Sequence, residues 1–544
     1  MVVPLEDGVS NKTLVDVLHS SALDEPDRRI FRYLDDGETE GQTVTYQDLL
    51  DGSRAVAAEL RRETQPGDRV LLLYEPGVEY IEAFFGCLYA GRIAVPVYPP
   101  DPNGLEQTLP RLVHIIEDAQ PSAVATTSKI RSMASGLMSA DTVGGNDLAW
   151  CATDGAEASD EQPIAQHVEP GSLAFLQYTS GSTRRPRGVR ITHRNLLHNV
   201  KLIAETLELD RQTVGVSWLH MYHDMGLIGK IITPAVVGCS VVLMSPRDFL
   251  RKPVRWLRAI SEYGGTVSAA PNFAYDLCVR KVSDEQLQEL DLSSWQVALN
   301  GAEPVRAQTL EAFVDRFEGT GFQPETFLPA YGLAESTLLV TGSQLGPKMF
   351  EVTKNSLEQG DVEFADDTQA EPSTTLVSSG TEAGFEQNVE IVDPDERTPL
   401  EHGEVGEIWV KGRSVADGYW RRPDESEQRF QARLRGERDA GQYLRTGDLG
   451  FRIDSDLVVT GRRADLMIFR GRNIYPQDVE ATVAEAHDAV RPGGMAAFSI
   501  DRPGGEIPVI VAEMERRTNS AIEGDDRRQK ETLPKYEVDR LPTV

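Results

Sequence analysis

Residues 173–189 read Leu-Ala-Phe-Leu-Gln-Tyr-Thr-Ser-Gly-Ser-Thr-Arg-Arg-Pro-Arg-Gly-Val. The first seven make an apolar run of strand length. The loop that follows is dense in Gly, Ser and Thr, with arginines at 184, 185 and 187. Successive backbone N–H groups and short hydroxyls in such a loop can wrap phosphate oxygens, and the arginines add positive charge. The GxxxxGK[ST] pattern of a Walker loop is absent. A polar surface turn has the same composition, so the loop takes its meaning from its surroundings.

Upstream, residues 68–75 (DRVLLLYE) and 92–98 (RIAVPVY) read as buried strands, with helical spacing of apolar residues between them. Strand–helix–strand alternation implies a parallel sheet covered by helices. The pattern recurs from 173–179 through a helix near 193–207 to a strand at 214–219. It recurs again from 239–244 through a helix near 253–262 to a strand at 266–271. After about residue 345 the texture becomes polar. Short strand-like pieces with turn signals then follow: VEIVD, EVGEIWVKG, LRTGDLGF and LVVTGR. From about 464 a last α+β unit is expected, and the final 27 residues hold little that could pack. The fold class expected is therefore α/β.

At 544 residues the chain is long enough for three or four structural units. Asp and Glu number 86 against 55 Lys and Arg, a net charge of −31. That excess argues against non-specific binding of nucleic acid or anionic membranes, while a local basic site can still hold a small anion. A salt-adapted surface is another reading of the same acidity. Cysteines 87, 151, 239 and 278 form no CxxC pair and no metal-ligand spacing, so buried reduced thiols are expected. The N-terminal residues lack a basic region followed by an apolar run, so no signal peptide is expected. No stretch reaches the roughly 18 apolar residues of a membrane span. These features imply a cytoplasmic, multi-domain protein.

The Tyr178–Val189 loop resembles the phosphate loop of the adenylate-forming superfamily, which contains acyl-CoA synthetases, peptide-synthetase adenylation domains and luciferases. Four further segments follow in that superfamily's order. Asn300-Gly-Ala-Glu303 resembles the adenine-side loop and Tyr331-Gly-Leu-Ala-Glu335 the YGxTE motif. Tyr443-Leu-Arg-Thr-Gly-Asp-Leu-Gly450 resembles the ribose-binding motif, and Gly461-Arg-Arg-Ala-Asp465 the hinge motif. Trp218-Leu-His-Met-Tyr-His-Asp-Met-Gly-Leu-Ile-Gly229 is similar to the WLPxYHDMGLIG segment of the fatty acyl-AMP ligases, with His220 in place of the usual Pro. Tyr98-Pro-Pro100, Ala270–Asp276 and Tyr475-Pro-Gln-Asp478 match the same branch.

The resemblance implies a large N-terminal domain over 1–463, made of two parallel-sheet subdomains and a β-rich subdomain at about 385–463. It implies a small mobile cap over 464–544 and a branch-specific insertion at about 347–373, held to restrict the cap and disfavour transfer to CoA. The implied reaction is adenylation of a fatty acid by ATP, followed by transfer to the phosphopantetheine thiol of an acyl carrier protein, in lipid, polyketide or lipopeptide assembly. Thr179, Ser180, Gly181, Ser182, Thr183 and Arg187 would grip the phosphates. Gly301, Ala302, Glu303, Ala330, Tyr331 and Gly332 would lie on the adenine side of the ATP site, Asp448 would take the ribose, and Arg462 of the hinge motif would also contact ATP. Glu335 and Thr183 would hold Mg²⁺, a hard cation that takes a carboxylate plus phosphate oxygens. A partly buried His223 would face the acyl carboxylate and the α-phosphate. Trp218, His223, Met225, Gly226 and Asn272 would line the start of an acyl tunnel.

Departures from the family pattern are Arg184 for Gly, Arg187 for Lys, and a short tail. The family's last domain ends in a Gly-Lys motif, whereas here Lys530 and Lys535 lie in no such context. Loss of such a charge-stabilising donor costs about 10²–10³ in rate. The alternatives implied are a fatty acyl-CoA ligase, a peptide-synthetase adenylation domain, for which Asp224 would be relevant, and a catalytically impaired nucleotide- or acyl-adenylate-binding protein.

Overall fold

The computed structural model describes residues 11–99, 105–137, 148–156, 168–179, 185–343, 346–365, 371–382, 384, 386–436, 441–469, 472–486, 490–502 and 505–514. By internal packing the chain divides into two compact units. The first comprises Met1–Lys348, Ser379–Glu390 and Trp409–Thr446; the second comprises Met349–Ser378, Ile391–Ile408 and Gly447–Val544.

The first unit is built on two sheets. A six-stranded sheet runs in the order Ala149–Ala152, Ala123–Thr126, Arg69–Leu73, Ile93–Pro96, Leu173–Thr179, Arg187–Thr192. The pairs Val70↔Ala94 and Leu71↔Val95 are parallel, as the strand–helix–strand pattern predicts. Val70, Leu71, Leu72 and Leu73 are at most 2 % exposed because helices cover both faces of such a sheet. The crossover helix Val78–Tyr89 packs on Tyr46–Glu63 so closely that a Cβ on Gly86 would lie 2.7 Å from the Ser53 carbonyl oxygen.

A nine-stranded sheet runs Thr381–Glu382, Leu339–Gly342, Phe327–Gly332, Val297–Asn300, Val267–Ala270, Val214–Ser217, Ser240–Met244, Arg29–Leu34, Glu40–Thr45. The strand–helix–strand reading holds from Ser240–Met244 through the helix Val254–Tyr263 to Val267–Ala270. These two strands flank Val214–Ser217 in parallel. It fails from 173–179 to 214–217, which lie in different sheets. An intervening strand, Arg187–Thr192, turns back antiparallel on Leu173–Thr179, and the helix His193–Thr206 then crosses to the second sheet. Two arginines at 187 and 190 mask that strand, whose buried members are Gly188, Val189, Ile191 and Thr192.

The strands Gln387–Val392, Gly406–Gly412, Leu444–Ile453 and Asp456–Arg462 form a four-stranded sheet in that order. In the second unit, Met349–Thr353 pairs antiparallel with Ser373–Val377, and the helix Lys354–Gln359 follows the first of these strands. Val352 and Leu357 join Phe451, Val458 and Tyr475 in one apolar cluster. The segment read as an insertion is thus part of the second unit's core, with residues 366–370 outside the described ones. All four cysteines are free and buried. No helix among the described residues is long and apolar enough to cross a membrane.

Candidate active site

Five neighbouring parallel strands of the nine-stranded sheet end side by side at Ser217, Met244, Ala270, Asn300 and Gly332. Ligand sites in α/β sheets lie outside such carboxyl ends. The loops that leave this edge carry Trp218–Asp224, Pro271–Asn272, Gly301–Glu303 and Leu333–Glu335, so sheet order gathers segments far apart in sequence.

The 301–303 turn is shaped by its backbone. Ala302 adopts φ +73°, and a Cβ on Gly301 would stand 2.9 Å from the Ala330 carbonyl oxygen. Ala302 and Glu303 are exposed, whereas Ala330 and Tyr331 are 7 % and 8 % exposed. Asn272 braces this turn. Its Nδ2 donates to Pro304 O at 2.9 Å, and its Oδ1 accepts from Asn300 Nδ2 at 3.1 Å and Arg306 N at 3.2 Å. The structure therefore places Asn272 as a buried strut with both ends of its carboxamide bonded to the protein, where the sequence reading has it against an acyl chain.

Glu335 is 8 % exposed, and its Oε1 accepts from the Tyr419 hydroxyl at 2.7 Å. Its second oxygen has no partner among the described residues. The backbone turns sharply here: a Cβ on Gly332 would meet Leu338 O at 2.0 Å, and Thr337 has φ +68°. The turn is pinned by Thr337 Oγ1 to Ser414 O at 2.6 Å and Ala416 N to Glu335 O at 2.9 Å. Residues 413–415 are pinned in turn by Asn195, whose Nδ2 donates to Arg413 O and Val415 O at 2.8 and 2.9 Å. Asn195 also closes the capping box with Thr192 that starts the helix His193–Thr206.

Tyr419 is a residue the sequence reading misses. It lies 84 positions beyond Glu335 with no motif spacing to reveal it. Residues 418–420 run beside the strand Arg187–Thr192 through Trp420 N to Gly188 O at 2.7 Å and Arg190 N to Gly418 O at 3.0 Å. That register sets the Arg187 guanidinium 4.9 Å from the Tyr419 ring centroid, with Arg187 Nη1 3.3 Å from Glu425 Oε2. Burial, reinforced by the Glu335 carboxylate, raises the Tyr419 phenol pKa, so it stays a hydrogen-bond donor. Thr179 stands opposite Arg187 in the hairpin, and its Oγ1 is buried without a partner among the described residues. Ser180, Gly181, Ser182, Thr183 and Arg184 lie outside the described residues.

The His223 side chain is 58 % exposed, so the imidazole is partly covered. It is the N-cap residue of a four-residue helix, Asp224–Leu227, and makes no side-chain capping bond. Its Nδ1 lies 2.7 Å from Asp224 Oδ1, and that carboxylate raises its pKa against the effect of burial. Asp224 is 14 % exposed. Burial opposes its charge, but His223 and the Met225 N–H at 2.7 Å outweigh that and lower its pKa. His220 is held neutral, pushed down to about 4 by burial and by the nearby His223. Its Nδ1 bonds the Tyr222 hydroxyl, and Tyr98 stands edge-on to both rings. Gly226 is obligatory, since a Cβ would lie 2.1 Å from His220 O. Trp218 is 3 % exposed and stacks on Phe249 at 4.0 Å, while its Nε1 has no partner among the described residues. Met225 is buried at 8 %.

Asp448 and Arg462 belong to the second unit. They are register partners on the hairpin of Leu444–Ile453 and Asp456–Arg462, with Nε 3.4 Å from Oδ1. Lys530 and Lys535 lie outside the described residues. No cluster of three or more His, Cys, Asp and Glu that could hold a metal occurs among the described residues. Glu335, a nearly buried carboxylate with one oxygen fixed and one without a partner, suits a hard cation that takes its remaining ligands from a nucleotide.

Comparison with known proteins gives the same picture. The AMP-binding enzyme family matches residues 18–420. The chain is 40 % identical to the medium-chain-fatty-acid–[acyl-carrier-protein] ligase JamA of Moorena producens, over 94 % of this chain and 87 % of JamA. It is 39 % identical to the long-chain-fatty-acid–AMP ligase FadD32 of Mycolicibacterium smegmatis, over 90 % and 79 % of the two chains. A solved fatty acyl-adenylate ligase from L. pneumophila, in complex with acyl adenylate and pyrophosphate, superposes with a TM-score of 0.80 at 40 % identity. It covers 96 % of this chain and 90 % of its own.

Proposed function

This chain belongs to the AMP-binding enzyme family, in its fatty acyl-AMP ligase branch, and on that premise we propose a two-step reaction in the cytoplasm. In the first step a fatty-acid carboxylate oxygen attacks the α-phosphorus of ATP. The new O–P bond forms as the bond to the β-phosphate oxygen breaks, and pyrophosphate leaves with the electron pair. In the second, the phosphopantetheine thiol of an acyl carrier protein gives up its proton and attacks the acyl carbonyl, and AMP leaves. There is no covalent enzyme intermediate, so catalysis is positioning plus charge neutralisation.

The observation that carries this reading is the Glu335 carboxylate. It is held by Tyr419 through one oxygen, beside the Arg187 side chain that flanks the phosphate-loop hairpin. Glu335 and Thr183 would hold Mg²⁺, which when bound neutralises phosphate charge. The Thr179 hydroxyl, buried and unpartnered, donates to a phosphate oxygen, together with residues 180–183. The 301–303 and 330–332 segments flank the adenine, Asp448 takes the ribose, and Arg462 also contacts the nucleotide. His223, whose pKa the Asp224 carboxylate raises, faces the acyl carboxylate and α-phosphate. Asp224 Oδ1 already takes both His223 Nδ1 and Met225 N, and a carboxylate with a histidine as its ion-pair partner is a weaker acceptor for an amino-acid ammonium. The segment at about 347–373, read as a branch-specific insertion, packs Val352 and Leu357 into the second unit, which supports adenylate formation with a carrier over transfer to CoA.

The test is pyrophosphate release with fatty acids from butanoic to octadecanoic, with CoA and holo-carrier protein added separately. Acyl-AMP that accumulates regardless of CoA and is discharged by the carrier is the expected result. Discharge by CoA would make the chain a CoA ligase. Nucleotide binding without pyrophosphate release would make it a binding protein.

A further inference from the structure

Tyr419 is 2 % exposed and does two things at once. Its hydroxyl donates to Glu335 Oε1 at 2.7 Å, and its ring lies under the Arg187 guanidinium at 4.9 Å. Neither contact is forced by sequence proximity. Both depend on the 418–420 segment lying along Arg187–Thr192, with the antiparallel bridge Val189↔Tyr419. The Glu335 backbone is tied to the same segment through Ala416 N. The carboxylate thus has one oxygen oriented by the protein and one left over.

We infer that Tyr419 is a positioning residue for the metal and the phosphates, its hydroxyl aiming the free oxygen of Glu335 at the cation and its ring setting Arg187 against the triphosphate. The inference rests on the reading of Glu335 as the metal ligand. A carboxylate that accepts one hydrogen bond in a fixed geometry loses less freedom on binding a cation, and outer partners of this kind are worth about 10–100-fold in metal affinity. A guanidinium 4.9 Å over an aromatic ring is attracted to the ring face and held in place there, which limits the directions its donors can take.

The two contacts can be separated. Tyr419→Phe removes the hydroxyl and keeps the ring; Tyr419→Leu removes both. We would measure Mn²⁺ affinity by electron paramagnetic resonance with a non-hydrolysable ATP analogue, and affinity for the same analogue in EDTA. The expected result for Tyr419→Phe is Mn²⁺ affinity weakened about tenfold, with metal-free nucleotide affinity at the parent's value. Tyr419→Leu should weaken both affinities. The inference fails if Tyr419→Phe binds Mn²⁺ like the parent, or if both variants shift both quantities alike. Glu335→Gln is the control. If it binds Mn²⁺ like the parent, the reading of Glu335 itself is wrong; if it loses Mn²⁺ while Tyr419→Phe does not, only the role of Tyr419 falls.

Discussion

Lys230 lies in the π-helical segment Ile228–Ile232, 5 % exposed, where Leu227, Ile228, Ile231 and Ile232 are fully buried. It has no ion pair or hydrogen bond among the described residues, and burial pushes its pKa down to about 8, partly offset by Cys239. Below pH 8 the fold holds an unpaired ammonium, which costs free energy. The unfolded chain keeps its proton up to about pH 10.4, so stability should rise between those limits. Lys230→Met should stabilise the protein at pH 7 by up to roughly 3 kcal/mol, and the gain should vanish above pH 10.4. Denaturant midpoints of the two proteins across that range would show it; an unchanged midpoint at pH 7 would contradict it. Legibility at this scale is uneven. Glu335 and His223 are visible in the sequence because each sits in a dense local motif. Tyr419 and the buried charge of Lys230 are not, since both depend on packing from distant segments.

The loop and short helix from Trp218 to Leu227 depend on one glycine. The helix Asp224–Leu227 starts against the carbonyl of His220, and Gly226 has no room for a side chain there. Gly226→Ala should displace the His220–His223 turn, with its His223–Asp224 pair. We expect acyl-adenylate formation to fall by about two orders of magnitude, as a small misplacement of reacting groups does, while the melting midpoint drops by only a few degrees. A variant with parent-like turnover would show that the turn is not part of the acyl site. The strand Leu173–Thr179 is legible residue for residue because it is predominantly apolar, opening with Leu-Ala-Phe-Leu. Arg187–Thr192 is not, because its arginines break the hydrophobic pattern and its pairing partner, not its own composition, makes it a strand.

Across the whole chain, the net charge of −31 leaves acid stability to the groups that resist protonation. His193 is 1 % exposed and accepts from Leu14 N at 3.2 Å through Nδ1, with its pKa pushed down to about 4 by burial. His220 is likewise held at about 4. The unfolded chain takes up these protons near pH 6.5 and the fold does not, so stability should fall as pH drops from 6.5 toward 4. His193→Asn keeps an acceptor and removes the titration. It should flatten the fall between pH 6.5 and 5 by up to about 2 kcal/mol, read from urea midpoints; a parent-like slope would count against this. By itself the sequence determined the α/β class and the family and marked the candidate loops, because glycine-rich polar turns and buried parallel strands are local patterns. The tertiary structure alone decided that strand 187–192 turns back within its sheet, that Asn272 is a strut, that His223 is exposed, and that Tyr419 joins Glu335 to Arg187. Each of these depends on which segments the sheets bring side by side, and no local pattern of residues encodes that.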